Sequence, residues 1–413
     1  MSKHIIDDAK RCLQCKNPQC AQGCPIGTPV RDAIALLLGG SLEQAGALLF
    51  ANNPLSLVCS HVCHQENQCE GHCVLGRKGM PVFISAIEKY ISDFYLNIYR
   101  PTPSTGEAGR VAIIGSGPAG ITIAFYLAQR NYAVTIYESH DRIGGVLRYG
   151  IPEFRLPKTV IDRLGEALLQ TGVTIRPNTT IGMNLIIDDL FRDGFDAVFM
   201  GTGVWRPNRL NIKGESLGHV HYAIDYLKNP GVYRLGQRLI VIGAGNVAVD
   251  VARTAVRHGC RGVRLFCHLD ASGVTARPHE MEYAKIDGIT LVLRKAPIEI
   301  TEEGVVFADT ELQADGEGNP RAVPIPGTEA LEPCSSVIIA ISQGPRSVIV
   351  SSTTGIDVKE NGLVAVDTCG HTTRPGVFAG GDVVTGAKTV VEAVQVSRRV
   401  AAAIDEYVQE TKA

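Results

Sequence analysis

One strand–turn–helix unit is written twice in this sequence. RVAIIGSGPAG (110–120) and RLIVIGAGNVA (238–248) each set a short apolar strand directly before a glycine-rich turn and the start of a helix. From Arg110 onward, β-branched runs alternate with helical patterns, which is the α/β signature. The duplication concerns a whole supersecondary unit and not a short-period solenoid repeat, so it predicts two Rossmann-like nucleotide-binding domains. A chain of 413 residues exceeds one ordinary core, which agrees with two or three domains.

In the first unit Gly115, Gly117 and Gly120 form G-x-G-x-x-G, with Ala119 inside the turn. The first glycine permits a tight turn, the second lets backbone approach a pyrophosphate, and the third lets helix and strand pack closely. The helix N-terminus then faces the phosphates. The next strand, AVTIY, leads to Glu138, 23 residues after Gly115, where a carboxylate can accept hydrogen bonds from an adenosine ribose. The downstream text suggests FAD as the occupant. GGVLRYGIPEFRLPK (144–158), which contains Gly145 and Arg155, follows the ribose acid closely, and VFAGGD (377–382) lies near the C-terminus. There an apolar strand delivers Gly381 and Asp382 to a turn, where the carboxylate suits a polyol hydroxyl; the plainer reading is a turn or N-cap aspartate. The following helix is expected to start near Thr389, its dipole favouring negative charge on a reduced flavin. Arg155 and Lys388 are candidates for flavin contact, with helix or phosphate roles as the alternative.

In the second unit Gly243, Gly245 and Ala248 form G-x-G-x-x-A, with Asn246 opening the helix. The partner strand GVRLFCH ends at Cys267–His268; Asp270 is the nearest acid to the ribose position, and no arginine pair stands there for a 2′-phosphate. His268 and Arg277 would serve a 2′-phosphate more weakly, so the balance favours NADH over NADPH. Two dinucleotide domains imply chemistry between two dinucleotides, and flavin is the natural converter because it accepts a hydride and releases electrons singly. No Cys-x-x-Cys stands beside either glycine motif, which disfavours a disulfide reductase.

Eight of the twelve cysteines lie within residues 12–73, and Cys260, Cys267, Cys334 and Cys369 are expected to be small buried hydrophobes. In a reducing compartment such a cluster is metal-binding or catalytic more often than a disulfide framework. Cys12-x2-Cys15-x4-Cys20-x3-Cys24-Pro25 is similar to the bacterial ferredoxin run, with a second gap of four instead of two. Cys59-x3-Cys63-x5-Cys69-x3-Cys73 completes the set, and eight thiols invite two [4Fe–4S] clusters. In two-cluster ferredoxins the fourth cysteine of the run crosses to the other cluster, which groups Cys12, Cys15 and Cys20 and sends Cys24 to the second; spacing does not apportion the remaining four. Zinc is the main alternative, weakened by the Cys-Pro ending and the adjoining flavin module. His61, His64 and His72 are interleaved and read as neighbours of the ligands and not as ligands.

Together these residues resemble the glutamate synthase small-subunit family, which includes the NAD(P)H-oxidising half of dihydropyrimidine dehydrogenase and the large subunit of a flavin-bifurcating transhydrogenase. The resemblance spans the CxxCxxxxCxxxCP run, NNPLSLVC, GSGPAG, GGVLRYGIPEFRLPK, GAGNVAVD and VFAGGDVVTGAKTVVEAV. It implies one cluster on Cys12, Cys15, Cys20 and Cys73, and another on Cys24, Cys63 and Cys69 with an oxygen ligand at Glu88. Cys59 would then be a spare; the alternative makes Cys59 the ligand and Glu88 a surface residue. NADPH-using members commonly carry Tyr-Arg-Arg or Phe-Arg-Lys after the second partner strand, where this chain has Phe266-Cys267-His268.

The expected architecture is a mostly helical two-[4Fe–4S] domain (1–100), a linker (101–109), an α/β FAD domain of glutathione-reductase-like type (110–235 and 345–413), and an NAD(P) domain (236–344) inserted into it. The resemblance implies an electron-input subunit that passes electrons to a catalytic partner in a hetero-oligomer. A stand-alone diaphorase and a non-catalytic zinc-containing assembly subunit are the alternatives. A formal net charge of −2 excludes a global field for nucleic acid or anionic membrane. MSKHIIDDAKRC lacks an apolar h-region, and no stretch approaches the roughly 20 apolar residues of a membrane helix, so a cytoplasmic location is expected. Replacing Gly117 with valine is expected to abolish FAD binding; normal flavin content in the purified variant would refute the first cradle.

Overall fold

The computed structural model describes residues 2–314 and 320–413. They divide into two compact units, one comprising 1–148, 153–204 and 345–413, the other 149–152 and 205–344. The cysteine-rich helices and the first glycine motif share the first unit; the second motif lies in the other.

The helical part of the first unit is built from amphipathic segments with small-residue contacts. Helix Val30–Leu38 follows Pro29 and stops at Gly39 and Gly40, the latter at φ +80°. Helix Ile84–Ile98 turns Ile84, Ile87, Ile91 and Leu96 inward, the i, i+3, i+7 spacing of one helical face. It meets helix Leu42–Asn52 at Gly46, where a Cβ would stand 2.3 Å from the Cβ of Tyr95. Glycine therefore sets how closely these two helices approach.

The sheet of this unit has five parallel strands in the spatial order Val377–Ala379, Ala197–Met200, Gly109–Ile114, Tyr132–Tyr137, Thr174–Arg176. Val111, Ala112, Ile113 and Ile114 are all buried, because both faces of the sheet are covered. The order reverses on either side of Gly109–Ile114, so the first glycine turn lies at the topological switch point, where open α/β sheets bind ligands. The C-terminal helix Val390–Lys412 packs against helix Pro118–Ala128 with Val394, Ala401, Ile404 and Val408 inward.

The cysteine-rich helices join this α/β body through an aromatic cluster. Phe125, fully buried on the glycine-motif helix, meets Phe50 edge-on at 5.3 Å and Tyr99 at 6.4 Å. Arg163 donates to Asp93 at 2.7 Å, and the Tyr126 hydroxyl donates to the Asn52 carbonyl at 2.9 Å. The segment expected to be a linker is pinned: Ser104 Oγ donates to Tyr132 O at 2.8 Å, Thr105 N donates to Asn131 Oδ1 at 2.7 Å, and Gly109 already belongs to the first strand.

The second unit has its own five-stranded parallel sheet, ordered Val220–Tyr222, Ser336–Ile339, Arg238–Ile242, Gly262–Phe266, Thr290–Val292. An antiparallel sheet adds Lys295–Thr301, Gly304–Ala314, Pro320–Pro324 and Ala330–Pro333. The boundary differs from the expected one: residues 205–235 belong here and not to the first unit, because Val220–Tyr222 pairs in parallel with Ser336–Ile339. That pairing joins segments more than a hundred residues apart, beyond the reach of local pattern. Among the described residues, no helix is long and apolar enough to cross a membrane.

Truncating Phe125 to alanine is expected to cost about 3–5 kcal/mol, as for other buried phenylalanines. Urea unfolding followed by far-ultraviolet circular dichroism measures this.

Candidate functional site

The first cradle is formed by backbone close approaches. Gly115 has φ +95°, and a Cβ there would stand 2.8 Å from the Gly201 carbonyl oxygen. A Cβ at Gly120 would stand 2.0 Å from the Gly115 carbonyl oxygen, so only glycine lets the helix start this close to the strand. Gly117 is different: its Cβ direction meets nothing within 4 Å, which leaves open space in front of the turn. Gly145 closes from another side, its own Cβ position 2.8 Å from Gly117 Cα. Gly381, at φ +73°, faces the Ala119 methyl, which brings the Asp382 turn to the same helix start. These sequence-distant glycines thus surround one opening whose bare backbone fits a dinucleotide pyrophosphate.

Glu138 is buried against this turn. Its Oε2 accepts from Ser116 N at 3.0 Å and from the Ser116 hydroxyl; its Oε1 accepts from His140 N at 2.9 Å and engages His140 Nδ1 at 2.8 Å. Burial pushes the carboxyl up, but the hydrogen bonds from His140 and Ser116 outweigh it and hold Glu138 down at about 2. Ser116 and His140 were not signalled by the sequence, since neither belongs to the motif's glycine positions. Asp382 behaves oppositely: burial pushes it up to about 7, aided by Glu392 and opposed by the Lys388 N–H, which donates to Oδ1 at 3.2 Å. Thr389 is the N-cap of helix Val390–Lys412, in a capping box with Glu392.

The cysteines gather in two groups. Cys12, Cys15, Cys20 and Cys73 line one pocket with Ile34 and Val82 as apolar walls. Burial pushes the Cys12 and Cys20 thiols up, and Cys73 lies close enough to add to both shifts. Elsewhere, the Cys63 thiol is pushed up by its hydrogen bond with Cys59, by burial, and by the charges of Glu88 and Cys69. Cys69 is pushed up by burial and by Glu88, Glu70 and Cys24. Burial lifts the Glu88 carboxyl to about 8, with Glu70 adding to the shift. Glu88 is half-buried and lies close enough to Cys63 and Cys69 to raise both, with Cys24 adding to the shift of Cys69. Among the described residues, no three His, Cys, Asp or Glu side chains close on a point that would hold a single metal ion. All twelve cysteines are free thiols, and two groups of soft sulfur donors suit iron–sulfur ligation.

The second group lies beside the α/β body of the same unit. His61, two residues before Cys63, bonds the Arg155 carbonyl, and burial with Lys89 nearby pushes it down to about 4. Gln395 Nε2 donates to the carbonyl of Pro25, next to Cys24. Arg155 is thus placed beside the cysteine segment. His72 is exposed, its Nδ1 2.6 Å from Gln68 O. Cys260, Cys267 and Cys334 are buried as expected, whereas Cys369 is half-buried in the turn that Asp367 organises.

The second cradle repeats the geometry. Gly243 has φ +133°, and a Cβ there would stand 2.4 Å from the Ala340 carbonyl oxygen; Ala248 is fully buried beneath the turn. Gly245 is the N-cap of helix Asn246–Arg257. Residues 275–277 cross this turn: Thr275 Oγ1 stands 3.3 Å from the Gly245 Cβ position, Ala276 N donates to Ala244 O at 3.1 Å, and Arg277 N donates to Asn246 Oδ1 at 3.0 Å. His268 is exposed at the strand end while Cys267 is buried. Asp270 accepts from Ser272 N at 2.9 Å and faces Arg294 at 3.8 Å. Arg294, like Thr275, carried no motif signal; the pairing of Phe266 with Val292 brings it to Asp270.

Two family models match the chain. Residues 109–399 match the pyridine nucleotide-disulphide oxidoreductase model, and residues 1–98 match dihydropyrimidine dehydrogenase domain II, 4Fe-4S cluster. The glutamate synthase [NADPH] small chain of Halomonas elongata is 33% identical over 97% of this chain and 90% of its own length. The chain belongs to the glutamate synthase small-chain family. The NAD-dependent dihydropyrimidine dehydrogenase subunit PreT of Escherichia coli is 31% identical over 98% of this chain and 94% of its own length. Among solved structures, Mycobacterium tuberculosis FprA in complex with NADPH superposes with a TM-score of 0.61 at 19% identity, covering 74% of this chain and 85% of FprA, a likeness of fold. As a member of this family the chain is an NAD(P)H-dependent FAD and iron–sulfur oxidoreductase.

Because Glu138 is held below its ordinary value, its stabilisation is complete above about pH 4.5 and is lost as pH falls toward about 2. The melting temperatures of wild type and Glu138→Gln are therefore expected to converge across that window in a pH series; a constant gap would refute the assignment.

Proposed function

We propose that the chain is the electron-input subunit of a cytoplasmic complex: it takes hydride from NAD(P)H onto FAD, and two [4Fe–4S] clusters carry the electrons singly to a catalytic partner. The observation that carries this reading is the joining of the Cys24–Cys63–Cys69–Glu88 group to the flavin-side body within one compact unit, through Gln395 on Pro25 and His61 on Arg155. An electron path needs short, fixed distances, and these contacts, one from the exposed Gln395 and one between half-buried His61 and Arg155, join the two parts.

The chain's own residues bind and orient. Gly115, Gly117, Ala119, Gly120 and Gly145 would hold the FAD pyrophosphate with backbone N–H groups and the helix start. A ribose hydroxyl would take over one of the Glu138 contacts now made by Ser116 or His140. Asp382 and Gly381 would face the polyol, and the capped helix after Thr389 would favour negative charge on the flavin. Cys12, Cys15, Cys20 and Cys73 would ligate one cluster, and Cys24, Cys63, Cys69 and Glu88 the other. Glu88 is preferred to Cys59 because it faces both Cys63 and Cys69, whereas Cys59 pairs with Cys63 across one helical turn. In the second unit, Gly243, Gly245, Asn246 and Ala248 would hold the nicotinamide dinucleotide. NADH is favoured, since Cys267 is buried and Arg294 faces Asp270.

The partner is proposed by analogy with relatives named as small chains or subunits, among them a glutamate synthase small chain and PreT. Anaerobic purification with iron, sulfide and flavin assays tests the cofactor set. About one FAD with about eight iron and eight sulfide per chain is expected; zinc without flavin would overturn the mechanism.

A further inference from the structure

Glu70 follows Cys69 directly, and its side chain reaches across to the helix that carries Glu88. Its Oε1 accepts from Ser85 N at 2.8 Å and from Ser85 Oγ at 2.6 Å. Ser85 is the second residue of helix Ile84–Ile98, whose N-cap Phe83 supplies no side-chain cap. The first amides of a helix need outside acceptors, and an anion there is favoured by the helix dipole. Two carboxylates supply this: Asp8 Oδ2 accepts from Phe83 N at 2.7 Å, and Glu70 takes Ser85. Glu88 lies three residues beyond Ser85, one turn along the same face. Glu70 thus links the loop bearing Cys69 to the helix bearing Glu88.

Its charge acts on the same two groups. Glu70 adjoins Cys69 in the chain, and its Oε1 on Ser85 lies one helical turn before Glu88. Toward the other group its contact is through the backbone and not the carboxylate: the Glu70 carbonyl accepts from Cys73 N at 3.0 Å. A field that disfavours negative charge on the ligands also disfavours adding an electron to what they hold, and cluster potentials follow net charge and hydrogen bonding.

We propose that Glu70 is a positioning residue for one cluster alone: its carboxylate fixes the Glu88 helix against Cys69 and lowers the reduction potential of the group held by Cys24, Cys63, Cys69 and Glu88. The proposal rests on the two-cluster reading given above.

The test is an anaerobic redox titration of the holoprotein followed by electron paramagnetic resonance, with iron content measured on the same samples. Glu70→Gln keeps an acceptor for Ser85 and removes the charge; Glu70→Ala removes both. In Glu70→Gln, full iron is expected, with one cluster's reduced-to-oxidised ratio at fixed potential raised roughly tenfold, about 59 mV for one electron, and the other unmoved. Glu70→Ala is expected to show the same rise and faster loss of iron to a chelator. Eight iron with both potentials unmoved in Glu70→Gln would overturn the role of Glu70 alone. Four iron in the wild type would overturn the two-cluster reading and this assignment together.

Discussion

At the end of the strand Gly109–Ile114, the chain turns so tightly that a Cβ on Gly120 would stand 2.0 Å from the Gly115 carbonyl oxygen. Much of the first unit is arranged around this backbone contact. It sets the start of the helix that carries Phe125 into the aromatic cluster beneath the cysteine segment. It places Ser116 where Glu138 can take both its N–H and its hydroxyl, and it leaves Gly117 facing open space. Gly145 and Gly381 then close on the opening because neither carries a side chain. The site is therefore a shape made by missing Cβ atoms, with Glu138 and Asp382 near its margins.

Those two carboxylates show how environment separates like groups. Glu138 is buried yet held near 2 by serine and histidine donors, and Asp382 is half-buried with one weak backbone donor and rises to about 7. A pre-bonded acid is rigid and suits a fixed ribose contact. An under-bonded acid keeps capacity for a ligand hydroxyl. In the second unit, Asn246 is occupied in a related way by the amide of Arg277, which ties residues 275–277 across the glycine turn.

The cysteine groups follow a different logic. Burial raises the thiols of Cys12, Cys20 and Cys69. Metal ligands must be deprotonated, so raised thiols release protons only when a cationic centre compensates them, which couples ligation to pH. The two groups differ in charge: one is all thiol, while the other includes Glu88 with Glu70 alongside. That asymmetry separates their electrostatic environments within one small helical segment.

Much of this was legible in the residues. G-x-G-x-x-G after VAIIG, G-x-G-x-x-A after RLIVIG, and the cysteine spacings are local patterns whose chemistry depends on neighbours within a few residues. The helix start at Thr389 was readable for the same reason. The domain boundary was not, because parallel pairing of Val220–Tyr222 with Ser336–Ile339 depends on distant segments. Nor were Ser116 and His140 on Glu138, Arg294 beside Asp270, or Glu70 on Ser85. The sequence alone determined which chemistries are present, since glycine turns and thiol spacings act through short-range geometry. Tertiary structure decided which side chains meet and how strongly each is charged, because burial and long-range hydrogen bonds exist only once the chain is packed.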